Sequence, residues 1–207
     1  MKYIIFTLCI AVVLVMTGCT SMNKEECSMA NWHAIGQKDA EEGKSTSNLA
    51  TYSKQCAEHG VTPDKGEYSV GHQVGLVVYC TKESGFSQGK KGKKHQGICP
   101  TDLAENFESG YVIGKEYYAV LSIKDSYETQ ISSKNKKIKK LVKQVKNITE
   151  KLSDSKTSYE DKKQLRIDGL GKGYEANQLA IEVQNIRPKL AVQEYKYSEL
   201  VKKYGYL

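Results

Sequence analysis

The sequence predicts a mainly α protein: a small disulfide-stapled helical head, followed by long helices that form a coiled-coil hairpin. Three observations carry this. Cys27, Cys56, Cys80 and Cys99 punctuate a stretch holding ten glycines between Gly36 and Gly97. No glycine or proline interrupts Lys115 to Asp168. Within that run Ile138, Leu141, Val145, Ile148 and Leu152 alternate spacings of three and four, which is a heptad seam. The chain divides into four blocks: 1–18, a signal segment; 19–26, a tether; 27–115, the Cys/Gly-rich head; and 116–207, the charged helical region.

Lys2 and the apolar run Tyr3–Met16 have the form of a signal peptide, too short for a comfortable bilayer span of about 20 residues. Met16-Thr17-Gly18-Cys19 resembles a lipobox, which implies cleavage before Cys19 and lipidation of its thiol. Two or three acyl chains hold a protein on a membrane where one does so only marginally. Thr20, in place of the aspartate typical of inner-membrane retention, implies the periplasmic face of the outer membrane of a bacterial envelope. After processing, 189 residues remain with a net charge of +6.

In the head, Trp32, Gly36, Asp39 and Gly43 share one face of a helix over Asn31–Gly43. Each glycine on it costs about 1 kcal/mol against alanine, which close approach of a second backbone would offset. Ser45, Thr46 and Ser47 are candidate caps for a second helix through Leu49, Tyr52 and Cys56, ending at His59-Gly60. Thr62-Pro63-Asp64 starts a third, with Thr62 as capping hydroxyl, running to Tyr79-Cys80. It carries Tyr68, His72 and Tyr79 on one side and the notch Gly71-x3-Gly75. Thr81–Ile98 lacks apolar periodicity and holds Lys90, Lys91, Lys93 and Lys94, so it reads as a basic loop. Cys99-Pro100 opens a fourth helix with Leu103, Phe107, Tyr111 and Gly114 along one face.

Four cysteines left in an exported domain predict disulfides. An antiparallel hairpin of the first two helices favours Cys27–Cys56, and the ends of the third and fourth favour Cys80–Cys99. Each bridge would contribute about 3–4 kcal/mol in the chain-entropy description. The alternative, zinc shared with His33, His59, His72 and His95, fits poorly: the cysteines lie 29, 24 and 19 residues apart with no C-x-x-C knuckle.

The pattern Trp32-x3-Gly36-x2-Asp39, Cys56-x2-His59-Gly60-Val61-x-Pro63-Asp64, Tyr68-x2-Gly71-x3-Gly75-Leu76-x2-Tyr79-Cys80, Gly89-x2-Gly92, Gly97-Ile98-Cys99-Pro100 and Phe107-x3-Tyr111-x2-Gly114 resembles a family of bacterial envelope lipoproteins. That family is known as domain of unknown function 2799, and the resemblance covers roughly residues 27–115. Ala40 stands where a glycine is usual, and His95-Gln96 where an aromatic precedes Gly97. The resemblance implies location and architecture and no activity.

In the tail, Ser153–Ser158 reads as a turn, and Thr157-x-x-Glu160 as a capping box restarting the helix. Gly169, Gly171 and Gly173 weaken that second helix, and Pro188 should kink it. An antiparallel coiled-coil hairpin is the expected form; self-association through an intermolecular coil is the alternative. From Lys134 to Lys163 there are eleven lysines and four acids.

Function reads as that of a structural or interaction lipoprotein, with envelope proteins or anionic envelope polymers as partners and no nucleic acid. The competing reading is a binding module built on Trp32, Asp39, Tyr68, His72, Tyr79 and the four lysines Lys90, Lys91, Lys93 and Lys94. Catalysis would have to draw on Asp39 and His72, and no catalytic, metal or cofactor motif accompanies them. Gly85-x3-Gly89-Lys90-Lys91 is one residue short of a phosphate-binding loop and lacks its hydroxyl. An open cleft holding Asp39, His72 and Tyr79 would favour binding; a packed head favours a scaffold.

Overall fold

A computed structural model describes residues 21–205. Residues 1–20, on which the expected signal peptide and lipidation at Cys19 fall, lie outside the described residues. Every regular element among the described residues is helical. They are α1 (Lys24–Ser28), α2 (Trp32–Glu41), a 3₁₀ turn (Thr46–Asn48), α3 (Leu49–Ala57), α4 (Lys65–Tyr79), α5 (Lys82–Lys90), α6 (Thr101–Ser153) and α7 (Tyr159–Tyr204). The described residues fall into two compact units, one of residues 21–79 with 96–100, the other of 80–95 with 101–205.

In the first unit α2 packs on α4, and the two run parallel. A Cβ at Gly36 would overlap the Tyr68 carbonyl, one at Gly71 the His33 carbonyl, and one at Gly75 the Gln37 carbonyl. The glycine notches thus let two helix backbones touch, which is why both helices tolerate the propensity cost. Beside this contact Cys27, Trp32, Cys56 and Tyr68 form a buried cluster. The Cys27–Cys56 bridge is present, with Cα atoms 5.6 Å apart. The reason offered from the sequence needs correction: α2 finds its main partner in α4, with α3 in the crossover, so no antiparallel hairpin of the first two helices forms.

Two caps differ from expectation. Asp64, not Thr62, caps α4, its Oδ1 accepting from the Glu67 N–H at 2.9 Å. None of Ser45, Thr46 or Ser47 caps α3 with a side chain; Asn48 occupies the cap position without capping, because its amide is turned toward Asp39.

In the second unit the basic loop expected over Thr81–Ile98 is in large part helix. Thr81 caps α5, its Oγ1 accepting from the Ser84 N–H at 3.1 Å. The buried face of α5 is Gly85, Phe86 and Gly89, and helices buried through glycine show no apolar period. A Cβ at Gly85 would overlap the Phe107 carbonyl, one at Gly110 the Lys82 carbonyl, and one at Gly114 the Phe86 carbonyl. The near-match to a phosphate-binding loop is therefore a helix–helix notch.

These contacts repeat those of α2 and α4 residue for residue. On the first helix of each pair Gly36, Ala40, Gly43 and Lys44 become Gly85, Gly89, Gly92 and Lys93, an offset of 49. On the second, Tyr68, Gly71, His72, Gly75 and Tyr79 become Phe107, Gly110, Tyr111, Gly114 and Tyr118, an offset of 39. Gly43 and Gly92, at φ +78° and +69°, end the first helices and lie against the rings of Tyr79 and Tyr118. The head is one parallel helix pair used twice.

From α6 onward the hairpin forms as expected. α6 has 53 residues, about 80 Å at 1.5 Å per residue, and α7 returns antiparallel along it. Leu141 and Ile148 are buried on α6, and Val183 and Ile186 on α7. Lys134, which interrupts the seam, pairs with Glu182, and Lys137 with Glu175 at 2.6 Å. The restart cap is one residue later than the Thr157-x-x-Glu160 box. Thr157 donates to the Lys151 carbonyl at 2.9 Å, closing α6, so extended Ser158 takes the cap and accepts from the Asp161 N–H at 3.1 Å. α7 runs on through Pro188 as one helix, with Val183 and Ile186 anchored just before it. Among the described residues no helix is long and apolar enough to cross a membrane.

Candidate functional site

Asp39 is the one buried carboxylate of the described residues, 2% exposed. It sits on the face of α2 that also carries Gly36, next to Ala40 of the α2–α4 contact and four residues before the turn at Gly43. Four donors converge on it. Tyr68 donates to Oδ2 at 2.8 Å and Asn48 at 2.6 Å; Lys44 Nζ reaches Oδ1 at 3.0 Å and the Tyr52 hydroxyl at 3.2 Å. A carboxylate offers about four lone-pair sites, so these donors fill it.

Burial by itself would raise the Asp39 pKa. The hydrogen bonds from Asn48, Tyr68 and Lys44, with the Lys44 charge, outweigh that and hold it below the usual carboxylate value. The partners respond in turn. Lys44, hydrogen-bonded to Glu42 at 2.7 Å as well as to Asp39, is held protonated above its ordinary value. Burial, with the bond to Asp39 and its charge, pushes Tyr68 up; burial and the Asp39 charge do the same to Tyr52. The arrangement stabilises an ionised, fully coordinated carboxylate. It leaves no lone pair directed outward to take a proton from a substrate.

The sequence-selected residues fall into two groups. Trp32, Asp39, Tyr68 and His72 are brought together. Trp32 packs on Tyr52 with centroids 6.0 Å apart, and His72 stacks on Tyr68 at 6.1 Å. His72 Nε2 lies 2.8 Å from the Lys44 carbonyl oxygen and donates to it, which ties α4 to the turn after α2. Tyr79 is buried with its ring against Gly43. These residues pack the head; they do not line an open cleft.

Of the four lysines only Lys90 lies in a helix; Lys91 stands in the turn after α5, and Lys93 and Lys94 lie in the irregular stretch that leads to α6, all four exposed. Lys90 ends α5 with its Nζ 5.3 Å from the Phe86 ring centroid and 5.4 Å from that of Tyr117. Lys91 is the C-cap residue of α5. The Lys93 carbonyl accepts from the Tyr111 hydroxyl at 2.8 Å, the counterpart of the His72–Lys44 bond in the first pair. Cys80 and Cys99 are both disulfide-bonded.

Sequence reading missed Lys44, Asn48 and Tyr52. Asn48 and Tyr52 lie four apart on one helical face, and Lys44 follows the turn glycine; a buried acid nearby was the signal that they had a common partner.

What these features define, among the described residues, is a helical protein with a glycine-packed helix pair used twice and a long helical hairpin. Residues 31–116 match the family model described as a protein of unknown function (DUF2799), the family that the cysteine, glycine and aromatic pattern resembles. That span takes in both glycine-packed pairs, from the cap of α2 to the first part of α6. No curated protein and no solved structure matches the chain.

Proposed function

We propose that this protein is a lipid-anchored lipoprotein of the bacterial cell envelope with a structural or interaction role, and that it is not an enzyme. The observation that carries the role is the Asp39 network. The buried acid, both tyrosines and the histidine that catalysis would need spend their hydrogen bonds on one another and on the backbone. Two further features support the location. Met16–Cys19 has the lipobox pattern, and Cys27, Cys56, Cys80 and Cys99 are all in disulfides, a state that persists in oxidising compartments. An α6 about 80 Å long suits a spacer or scaffold more than a catalyst.

Metabolic labelling with a tagged fatty acid tests the anchor. The parent chain should incorporate label and lose residues 1–18; Cys19→Ser should do neither, because the thiol is the acceptor. Unchanged labelling and processing of Cys19→Ser would end the lipoprotein reading.

A further inference from the structure

The formal charge of the chain is not spread along it. Lys134–Lys163 holds eleven lysines and four acids, a net +7, equal to the net charge of all 207 residues, so everything outside this segment sums to zero. The structure folds that segment over the closed end of the α6–α7 hairpin, on either side of the turn at 154–158.

The same end carries an open apolar groove of about 700 Å³. Val145, Ile148 and Leu152 form its α6 wall, and Leu165 and Leu170 its α7 wall. It stays open because α7 presents Gly169 and Gly173 there; Gly173 has nothing within 4 Å of where a Cβ would stand. Apolar side chains also project outward at this end: Leu170 is 77% exposed, Tyr174 67% and Ile167 58%. Cations flank the groove on both helices. Lys139, Val142, Lys146 and Thr149 follow one another at helical spacing on α6, as do Lys163, Arg166, Leu170 and Tyr174 on α7; Thr149, Arg166, Leu170 and Tyr174 border the groove itself.

We infer that the hairpin end is a binding site for an anionic lipid surface, with acyl chain in the groove and headgroup phosphate against Arg166 and the flanking lysines. Charge and apolarity together select this occupant. A second copy would bring one +7 segment against another, and like charges at an interface repel. A soluble polyanion satisfies the lysines and leaves Leu170 and Ile167 in water. A bilayer surface satisfies both, as interfacial helices do with cations beside apolar side chains.

The test places a reporter in the groove of the full chain by Tyr174→Trp and follows quenching of the new indole by brominated lipids. Trp32, the single native tryptophan, is buried in the head and blind to the quencher. The local reporter also makes the result independent of the lipobox reading, whose failure would show in Cys19 labelling instead. Vesicles of brominated phosphatidylcholine with phosphatidylglycerol should quench the indole saturably, with binding lost as salt rises. The combined change Lys139→Gln, Lys146→Gln, Lys163→Gln and Arg166→Gln should weaken that binding by about two to three orders of magnitude. Leu170→Ser should reduce the quench at saturation; all these positions are exposed, and circular dichroism should show unchanged helix content. Quenching equal in neutral and anionic vesicles, or equal in the parent and the combined variant, would overturn the inference. So would vesicle association without quenching that dextran sulfate reproduces, which would assign the charge to a polymer.

Discussion

The two parallel pairs, α2–α4 and α5–α6, share a backbone contact and differ in what fills it. In both, glycine notches bring carbonyls against the facing helix, a left-handed glycine closes the first helix, and a tyrosine covers that glycine. In both, a side chain on the second helix donates to the carbonyl of the residue just after that glycine: His72 to Lys44, Tyr111 to Lys93. At the position of Asp39 the second pair has Gln88, and at that of Tyr68 it has Phe107. One pair is fastened by a charged network and the other by rings, with His95 lying edge-on to Phe107 and Tyr111. The same helix contact therefore does not depend on the network. The glycines specify the contact, and the buried acid specifies how the crossover segment with Asn48 and Tyr52 docks on it.

The largest effect should come from breaking what the pairs share. Gly71→Val and Gly110→Val each put a branched side chain into a facing carbonyl. Each should destabilise its own unit by about 4 kcal/mol or more, at the top of the range for single substitutions. Amide hydrogen exchange should show the loss in the substituted pair. Protection unchanged by either variant would mean the notches are incidental.

A smaller effect separates the pairs where α7 intervenes. Tyr117 packs on Phe86 and Tyr197 and donates to the Leu200 carbonyl at 2.8 Å, while its counterpart Val78 is 59% exposed. Tyr117→Ala should cost about 3–4 kcal/mol and Val78→Ala under about 0.5 kcal/mol in denaturant unfolding. Equal losses would contradict the difference.

A smaller effect still is the response to acid. The Asp39 pKa is depressed on folding, so its contribution is fully present above the ordinary value of 3.8 and disappears as pH falls through the folded value. The first pair should lose stability below about pH 4, whereas the second, with Gln88 in that place, has no such term there. Trp32 emission follows the first pair directly. A midpoint that does not move between pH 5 and pH 3 would show that Asp39 is not held ionised by its donors.

Much of this was legible in the chain. The notches Gly36 and Gly71-x3-Gly75, the heptad seam and the hairpin turn follow from spacing alone, since they rest on side chains repeating at helical periods. α5 was not legible because its buried face is glycine, and apolar period is the signal that glycine lacks. The duplication was hidden by unequal offsets: a crossover ten residues shorter in the second pair breaks any fixed repeat length. The parallel pairing was missed for a related reason. Short connections suggest antiparallel neighbours, and here α3 carries the chain back so that α4 can run alongside α2. Of the site, residue type and helical spacing pick out Asp39, Tyr68 and His72, but the sequence leaves packing and binding both open for them, because a filled and an open carboxylate look alike in sequence.

The most direct test of the difference between the pairs is a double-mutant cycle on Asp39→Asn and Tyr68→Phe, unfolded in denaturant and read by Trp32 emission. Asp39→Asn should cost about 3 kcal/mol, since it leaves converging donors mismatched, and Tyr68→Phe about 1.5–3 kcal/mol, the range for a hydrogen bond to a charged group. Together they reproduce the uncharged pairing of Gln88 with Phe107, so the double variant should lose at least about 1.5 kcal/mol less than the two single losses combined. Additivity within about 0.5 kcal/mol would contradict the account, because it would mean the acid and the tyrosine do not act as one fastening.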